Sequence, residues 1–246
     1  MGERLKISRF ARAGFWLAAL AAVAAVLAGW GSRRGWWPFG LGFRFLSWSV
    51  VGASAATLLA LIGLWATRRG AKRGRVRAMG ALALALAVAA IPLSYLWKAR
   101  SVPAIHDIST DTENPPAFSA VVPLRKGAPN PVEYGGPTVA EQQRAAYPDV
   151  QPAFLNVSPV LAFDRALEAA RAMGWRIVEA NPAQGRIEAV DTTRWFGFQD
   201  DVVVRVVPAE GGSRVDVRSL SRVGRSDVGA NAKRIRAFLA RLSRSS

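Results

Sequence analysis

The chain has 246 residues, of which 51% are hydrophobic and 20% charged, and it contains no cysteine and one histidine. The lack of cysteine excludes disulfide scaffolds, thiol nucleophiles and Cys-ligated metal sites, and His106 alone leaves little room for a histidine-based triad or a multi-His metal centre. The formal net charge of +16 is uneven, because residues 1–100 carry 15 Lys/Arg and one acid whereas residues 101–246 carry 18 Lys/Arg and 16 acids. Basic charge therefore accompanies the hydrophobic half, and a nucleic-acid partner is not expected.

Three apolar runs in the first 100 residues are long enough to cross a bilayer. They contain 20, 23 and 20 consecutive uncharged residues, and a hydrocarbon core of about 30 Å needs about 20 helical residues. The sequence predicts a membrane domain, residues 1–100, with transmembrane helices at about 13–31, 46–66 and 78–97 and the lipid bilayer as partner. A cleaved signal peptide is the competing interpretation of the first run, and the two spans that follow disfavour it.

The basic residues beside these runs predict an orientation. Ten Lys/Arg lie before the first run and between the second and third, against five between the first and second and after the third. Because Lys and Arg are retained on the cytoplasmic side, the N-terminus should be cytoplasmic and residues 99–246 should lie outside the cytoplasm.

Residues 101–156 form a proline-rich arm. Ten of the fourteen prolines fall between Pro103 and Pro159, and proline disfavours both helix interiors and central strands. The composition therefore predicts an extended, irregular segment. Its scattered apolar residues indicate an ordered arm that wraps a folded domain rather than a free tether.

Residues 157–246 have the pattern of a small α+β domain. Ser158 and Pro159 are typical of a helix start, and apolar residues at helical spacing follow as far as Gly174. Tight turns separate four strand-like runs, which predicts an antiparallel sheet. An amphipathic helix ends the chain, so both helices should cover one face of the sheet. The strands are predicted at 175–180, 186–193, 202–207 and 214–221.

Two segments, 193–205 and 213–227, resemble the signature of the family known as domain of unknown function 1499. Segments 106–111 and 147–149 are similar to its membrane-anchored bacterial branch. The resemblance covers residues 104–242 and implies a fold and an envelope location, but no activity, substrate or catalytic residue. Together with the charge count, it predicts a bacterial inner (cytoplasmic) membrane protein with a periplasmic C-terminal domain.

The last two predicted strands should separate valines from charges, because side chains alternate between the faces of a strand. The valine face should lie under the helices and the charged face should be open. An open face could be a ladder of solvated ion pairs, or a platform for an anionic headgroup, a glycan or a partner carboxylate. The charged face is predicted to carry Asp201, Arg205, Asp216, Arg218 and Arg222.

Two further groups are candidates for binding or chemistry. Trp195 and Phe198 flank Phe196 before the strand, and they either pack in the core or under the arm, or stay exposed to bind a ligand. His106, Asp107 and Asp111 are weak candidates for a metal or acid–base site, and local turn hydrogen bonds explain the two aspartates as well. No cofactor is predicted.

Two functional hypotheses follow from these patterns. The first is a non-enzymatic, membrane-anchored envelope protein whose exported domain binds a lipid, glycan or protein partner. The alternative is a membrane-tethered envelope enzyme that uses His106 with Asp107 or Asp111.

Overall fold

The computed structural model describes residues 6–68 and 72–245. Arg4 and Arg69, which entered the charge count, lie outside the described residues. The chain divides into two compact units: residues 1–97 with 194–197, and residues 98–193 with 198–246.

Within residues 6–68 and 72–101, three long helices make up most of the first unit: α1 (Arg9–Arg33), α2 (Phe39–Thr67) and α3 (Arg75–Ser101). All three are long and apolar enough to cross a membrane, which suggests membrane association. Glycines let α1 and α2 pack closely, since a Cβ on Gly63 would lie 2.9 Å from the backbone nitrogen of Ala11. Close approach of small residues is typical of helix pairs in bilayers.

The second unit contains an antiparallel sheet with the strands β1 (Asp107–Ser109), β2 (Ala153–Leu155), β3 (Arg176–Asn181), β4 (Arg186–Thr192), β5 (Gln199–Ala209) and β6 (Gly212–Ser221). Their order in the sheet is β1-β6-β5-β4-β3, with β2 also paired to β6. The prediction of four strands is wrong, because the arm contributes two short strands, β1 and β2, that pair with β6.

Helices α5 (Pro159–Ala172) and α6 (Ala230–Leu242) cover the valine face of this sheet. Val204 lies opposite Val217 on the two central strands, and both are buried in the core with Ile235 of α6. The predicted cover of the valine face by both helices is confirmed.

The arm is more regular than its prolines indicate. It contains β1, β2 and the helix α4 (Gly136–Ala146). Pro137 occupies the first turn of α4, where a missing N–H costs no hydrogen bond, and the helix ends before Pro148. The expectation of an extended, irregular segment is therefore wrong for this part, because Pro137 and Pro148 flank α4 and do not interrupt it.

Candidate functional site

The charged residues of β5 and β6 share one face of the sheet. Arg205 is paired with Asp216, and Val203 with Arg218, so these residues project to the same side. The predicted parity is confirmed, but the prediction that this polar face is open is wrong. Asp201 and Asp216 are fully buried and Arg218 is 3% exposed, because the arm covers them.

Arg218 is the centre of the contact between the polar face and the arm. Its guanidinium donates to both carboxylate oxygens of Asp107, at 3.0 and 2.7 Å. It also donates to the carbonyl oxygens of Pro116 at 3.2 Å and Val132 at 2.8 Å. The cation also lies over two aromatic rings, with centroids 4.9 Å (Phe118) and 5.4 Å (Tyr134) away. Four hydrogen bonds and two ring faces thus offset the cost of burying this charge.

Asp201 holds the next part of the arm. Its carboxylate accepts from Arg222 of the sheet at 2.7 Å and from Arg125 of the arm. Arg222 in turn donates to the carbonyl oxygen of Leu124 at 3.0 Å. An acid of β5 and two arginines therefore connect the sheet to the arm turn 122–125.

Glu188 of β4 satisfies backbone groups of the arm. This fully buried carboxylate accepts from the N–H groups of Ser119 and Val121, both at 2.9 Å. A carboxylate that receives backbone N–H groups makes charge-assisted hydrogen bonds, which are stronger than neutral ones. Glu188 thereby fixes the chain just before the turn 122–125.

Burial changes the proton affinities of groups under the arm. Desolvation raises the pKa of Asp107, and the hydrogen bonds and charge of Arg218 oppose that shift. Desolvation and the nearby Asp107 raise the pKa of Tyr134 to about 12. The tyrosine is therefore a neutral phenol at physiological pH, and these groups serve the packing of the arm.

One end of the polar face reaches the surface. Arg205 and Arg214, with side chains 23% and 32% exposed, both bind Asp111 at 2.9 and 2.8 Å, and both also bind Asp216. Burial raises the pKa of Asp111, but the N–H groups of Asn114 and Glu113 and the two guanidinium groups outweigh it, so the net pKa is lowered.

A polar cleft of about 240 Å³ lies beside this exposed end. Gln143 fixes its floor, because its amide accepts from the N–H of Ser109 at 2.9 Å and donates to the carbonyl of Ser109 at 2.6 Å. Arg144 donates to the hydroxyl of Thr112 at 3.0 Å on the rim. The cleft is lined by Thr110, Asp111, Thr112, Glu113, Gln143, Arg144, Tyr147, Val150, Gln151, Pro152 and Arg214.

The candidate acid–base residues make other contacts. His106 Nδ1 lies 3.4 Å from the carbonyl oxygen of Arg225, whereas the carboxylates of Asp107 and Asp111 are engaged by arginines. Within residues 6–68 and 72–245, no three His, Cys, Asp or Glu side chains are grouped so that they could hold a metal ion.

The aromatic candidates Trp195 and Phe198 belong to different units of the chain. Trp195 and Phe196 belong to the first unit, where the indole N–H of Trp195 donates to the carbonyl of Val26 at 3.3 Å. The Phe196 ring lies 5.0 Å from that of Phe43. Neither interpretation of the sequence anticipated packing on these helices. Phe198 belongs to the second unit, is half-buried and donates its N–H to the Thr193 hydroxyl at 2.9 Å.

Comparison with protein families assigns the C-terminal region. The family described as Protein of unknown function (DUF1499) matches residues 107–242, more than half of the chain. The chain belongs to this family. The search of curated proteins and the search of solved structures gave no match.

The DUF1499 region begins at β1 and ends with α6, so it includes both the arm and the sheet. It therefore contains residues that sequence reasoning missed. Arg214 could have been found, because it alternates with Asp216 on the same strand. Gln143 and Arg144 lie on an arm helix whose position on the sheet no local pattern indicates. Arg125 lies on the arm turn 122–125, whose position on the sheet no local pattern indicates either.

Proposed function

We propose that this DUF1499 protein is a non-enzymatic, membrane-anchored envelope protein that binds a glycan in the polar cleft. Its three helices lie in the bacterial inner membrane, the N-terminus is cytoplasmic and the second unit is periplasmic. The apolar helices and the excess of Lys/Arg beside the predicted cytoplasmic ends support this placement.

The composition of the cleft carries the choice of ligand. Two acids, Asp111 and Glu113, and two bases, Arg144 and Arg214, give a lining without net charge that presents both donors and acceptors. A sugar hydroxyl both donates and accepts, so a neutral polyol matches this lining better than a phosphate does. Pro152, half-buried in the lining, adds apolar surface for the carbon side of a ring.

The size of the cleft limits what it holds. Its volume of about 240 Å³ is below the roughly 300–1,000 Å³ of pockets for drug-sized ligands. One sugar unit of a longer chain is the ligand we expect, with its neighbours outside the cleft.

The buried part of the polar face supports a glycan over an anionic headgroup. Arg218 makes four hydrogen bonds and Arg222 is paired with Asp201. An anion at these guanidinium groups would have to displace the arm and leave the carboxylates unpaired, which is costly for buried charges.

A binding experiment tests the ligand. The full chain in lipid nanodiscs is titrated with a panel of soluble disaccharides of hexoses and N-acetylhexosamines, with calorimetry as the measurement. Arg144→Ala should weaken binding about tenfold or more, as expected when a hydrogen bond to a charged group is lost. Arg171→Ala removes an exposed arginine from α5, outside the cleft, and is the matched control.

Binding to none of the disaccharides, or equal loss in both variants, would contradict the glycan assignment. A reporter that is active only outside the cytoplasm tests the placement separately. Fused after Ser246 it should be active, and fused beside Lys72 it should be silent; the reverse result would overturn the orientation.

A further inference from the structure

A groove of about 320 Å³ opens among the three helices of the first unit. Ala22, Ala25 and Val26 of α1 form one wall, and Ile91 and Pro92 belong to the wall on α3. Leu46 of α2, Ala87 and Val88 of α3 and the indole of Trp195 complete the lining.

The sequence explains why these helices leave a gap. Small residues bring α1 and α2 together, as at Gly42, where a Cβ would lie 2.5 Å from the carbonyl oxygen of Ala28. The alanines on the groove wall are too short to fill the space towards α3. Pro92 lies inside α3, at a position where proline removes an intrahelical hydrogen bond and favours a kink.

The lining offers almost only carbon to an occupant. The single indole N–H of the wall, that of Trp195, already donates to the carbonyl of Val26. Water needs two or more polar partners in a cavity, and apolar cavities stay dry or take up apolar guests. The groove therefore suits a hydrocarbon.

The position of the groove selects the hydrocarbon. Ala22, Val26 and Ala87 lie within uncharged runs of 20 residues, at the depth of acyl chains if the helices cross the bilayer. We propose that the groove holds one acyl chain of a membrane lipid as a resident ligand. This requires the membrane placement proposed above but does not require glycan binding.

Native mass spectrometry of the full chain tests the resident lipid. The protein is extracted in mild detergent and then washed with a delipidating detergent, and retained phospholipid is counted per chain. The unaltered chain should keep one phospholipid. Ala87→Phe, which fills the groove, should lower occupancy about tenfold or more, the effect of losing about two buried methylene contacts.

Ala83→Phe is the matched control, since Ala83 is an exposed alanine one turn away on α3 and outside the groove. Leu46→Trp fills the groove from α2 and should reproduce the loss of phospholipid, which guards against misfolding of one variant.

Equal phospholipid retention in Ala87→Phe and Ala83→Phe, or no retention by the unaltered chain, would overturn the proposal. A dimer that Ala87→Phe dissociates would assign the groove to a second copy instead. Disaccharide binding by Ala87→Phe is measured alongside. If Ala87→Phe loses the lipid but still binds disaccharide, the lipid result does not depend on the glycan proposal.

Discussion

The two faces of the central sheet are covered in different ways. On one face, α5 and α6 bury a layer of aliphatic side chains, and Trp175 stacks on Phe238 at 5.2 Å. On the other face, the arm closes over charged residues, and Arg218, Asp201 and Glu188 bind its backbone or its side chains. Apolar contact is nondirectional, whereas ion pairs and hydrogen bonds fix a chain in register. The arm uses both kinds of contact. Its residues Ile108 and Val150 lie in the helix-covered core, whereas its segment 116–132 is held over the polar face by ion pairs and hydrogen bonds.

Ile235→Asp tests the helix-covered face and should have the largest effect. Ile235 is fully buried, and a carboxylate there has no partner, so we expect a loss of about 4–5 kcal/mol or more in the stability of the second unit. Limited proteolysis of the full chain should show cleavage within residues 198–246. Exposed Val160→Asp on α5 is the control, and cleavage of both variants at the same rate would contradict the assigned core.

Arg218→Met tests the arm-covered face. The substitution leaves the buried Asp107 carboxylate unpaired, which should cost about 3–5 kcal/mol. An arginine on an open face would instead be replaced with little effect. The measurement is the free energy of unfolding of the second unit in the full chain, followed by hydrogen exchange of β6.

The double variant Asp107→Leu/Arg218→Met sharpens this result. Removing both partners leaves no unpaired charge at this position, so a large part of the lost stability should return, except for the share of the Arg218 hydrogen bonds to Pro116 and Val132. If the double variant loses as much free energy of unfolding as the two single variants added together, the two residues do not act as a pair.

Asp111→Asn should have the smallest effect, because Asp111 is near the surface. We expect a loss of about 1 kcal/mol at neutral pH. The folded-state pKa of Asp111 is lowered, so its contribution is present above the ordinary aspartate pKa of about 4 and is lost as the pH falls through the folded-state value. The stability difference between the two proteins should therefore shrink below about pH 4, as measured by denaturation at several pH values. A difference that grows on acidification would contradict the lowered pKa. Asp107, whose pKa is raised, is common to both proteins and cancels in the difference.

Periodicity explains which parts of the fold could be predicted. The three apolar helices, the valine face of β5 and β6 and the covering helix α6 all follow from repeats within one element. Side-chain alternation also placed Asp201, Arg205 and Arg218 together correctly. These predictions needed no knowledge of distant contacts.

The cover on the polar face could not be predicted in the same way. Arg218 meets Asp107 across more than 100 residues of chain, and no local repeat encodes that contact. The short strands β1 and β2 have three residues each, too few to show alternation. Trp195 and Phe196 pack on helices more than 140 residues earlier in the chain, so their environment was equally hidden.

Cysteine labelling of the two faces tests the arm cover most directly, because the chain has no cysteine of its own. Val203→Cys places a thiol on the polar face and Val204→Cys places one on the helix-covered face; both positions are at most 1% exposed. Glu210→Cys, in the exposed turn between β5 and β6, is the reference. We predict that a maleimide labels both buried thiols at least about 100-fold more slowly than the reference, an opening free energy of about 3 kcal/mol. Labelling of Val203→Cys at the rate of Glu210→Cys, with Val204→Cys still protected, would show that the polar face is open and would contradict the account.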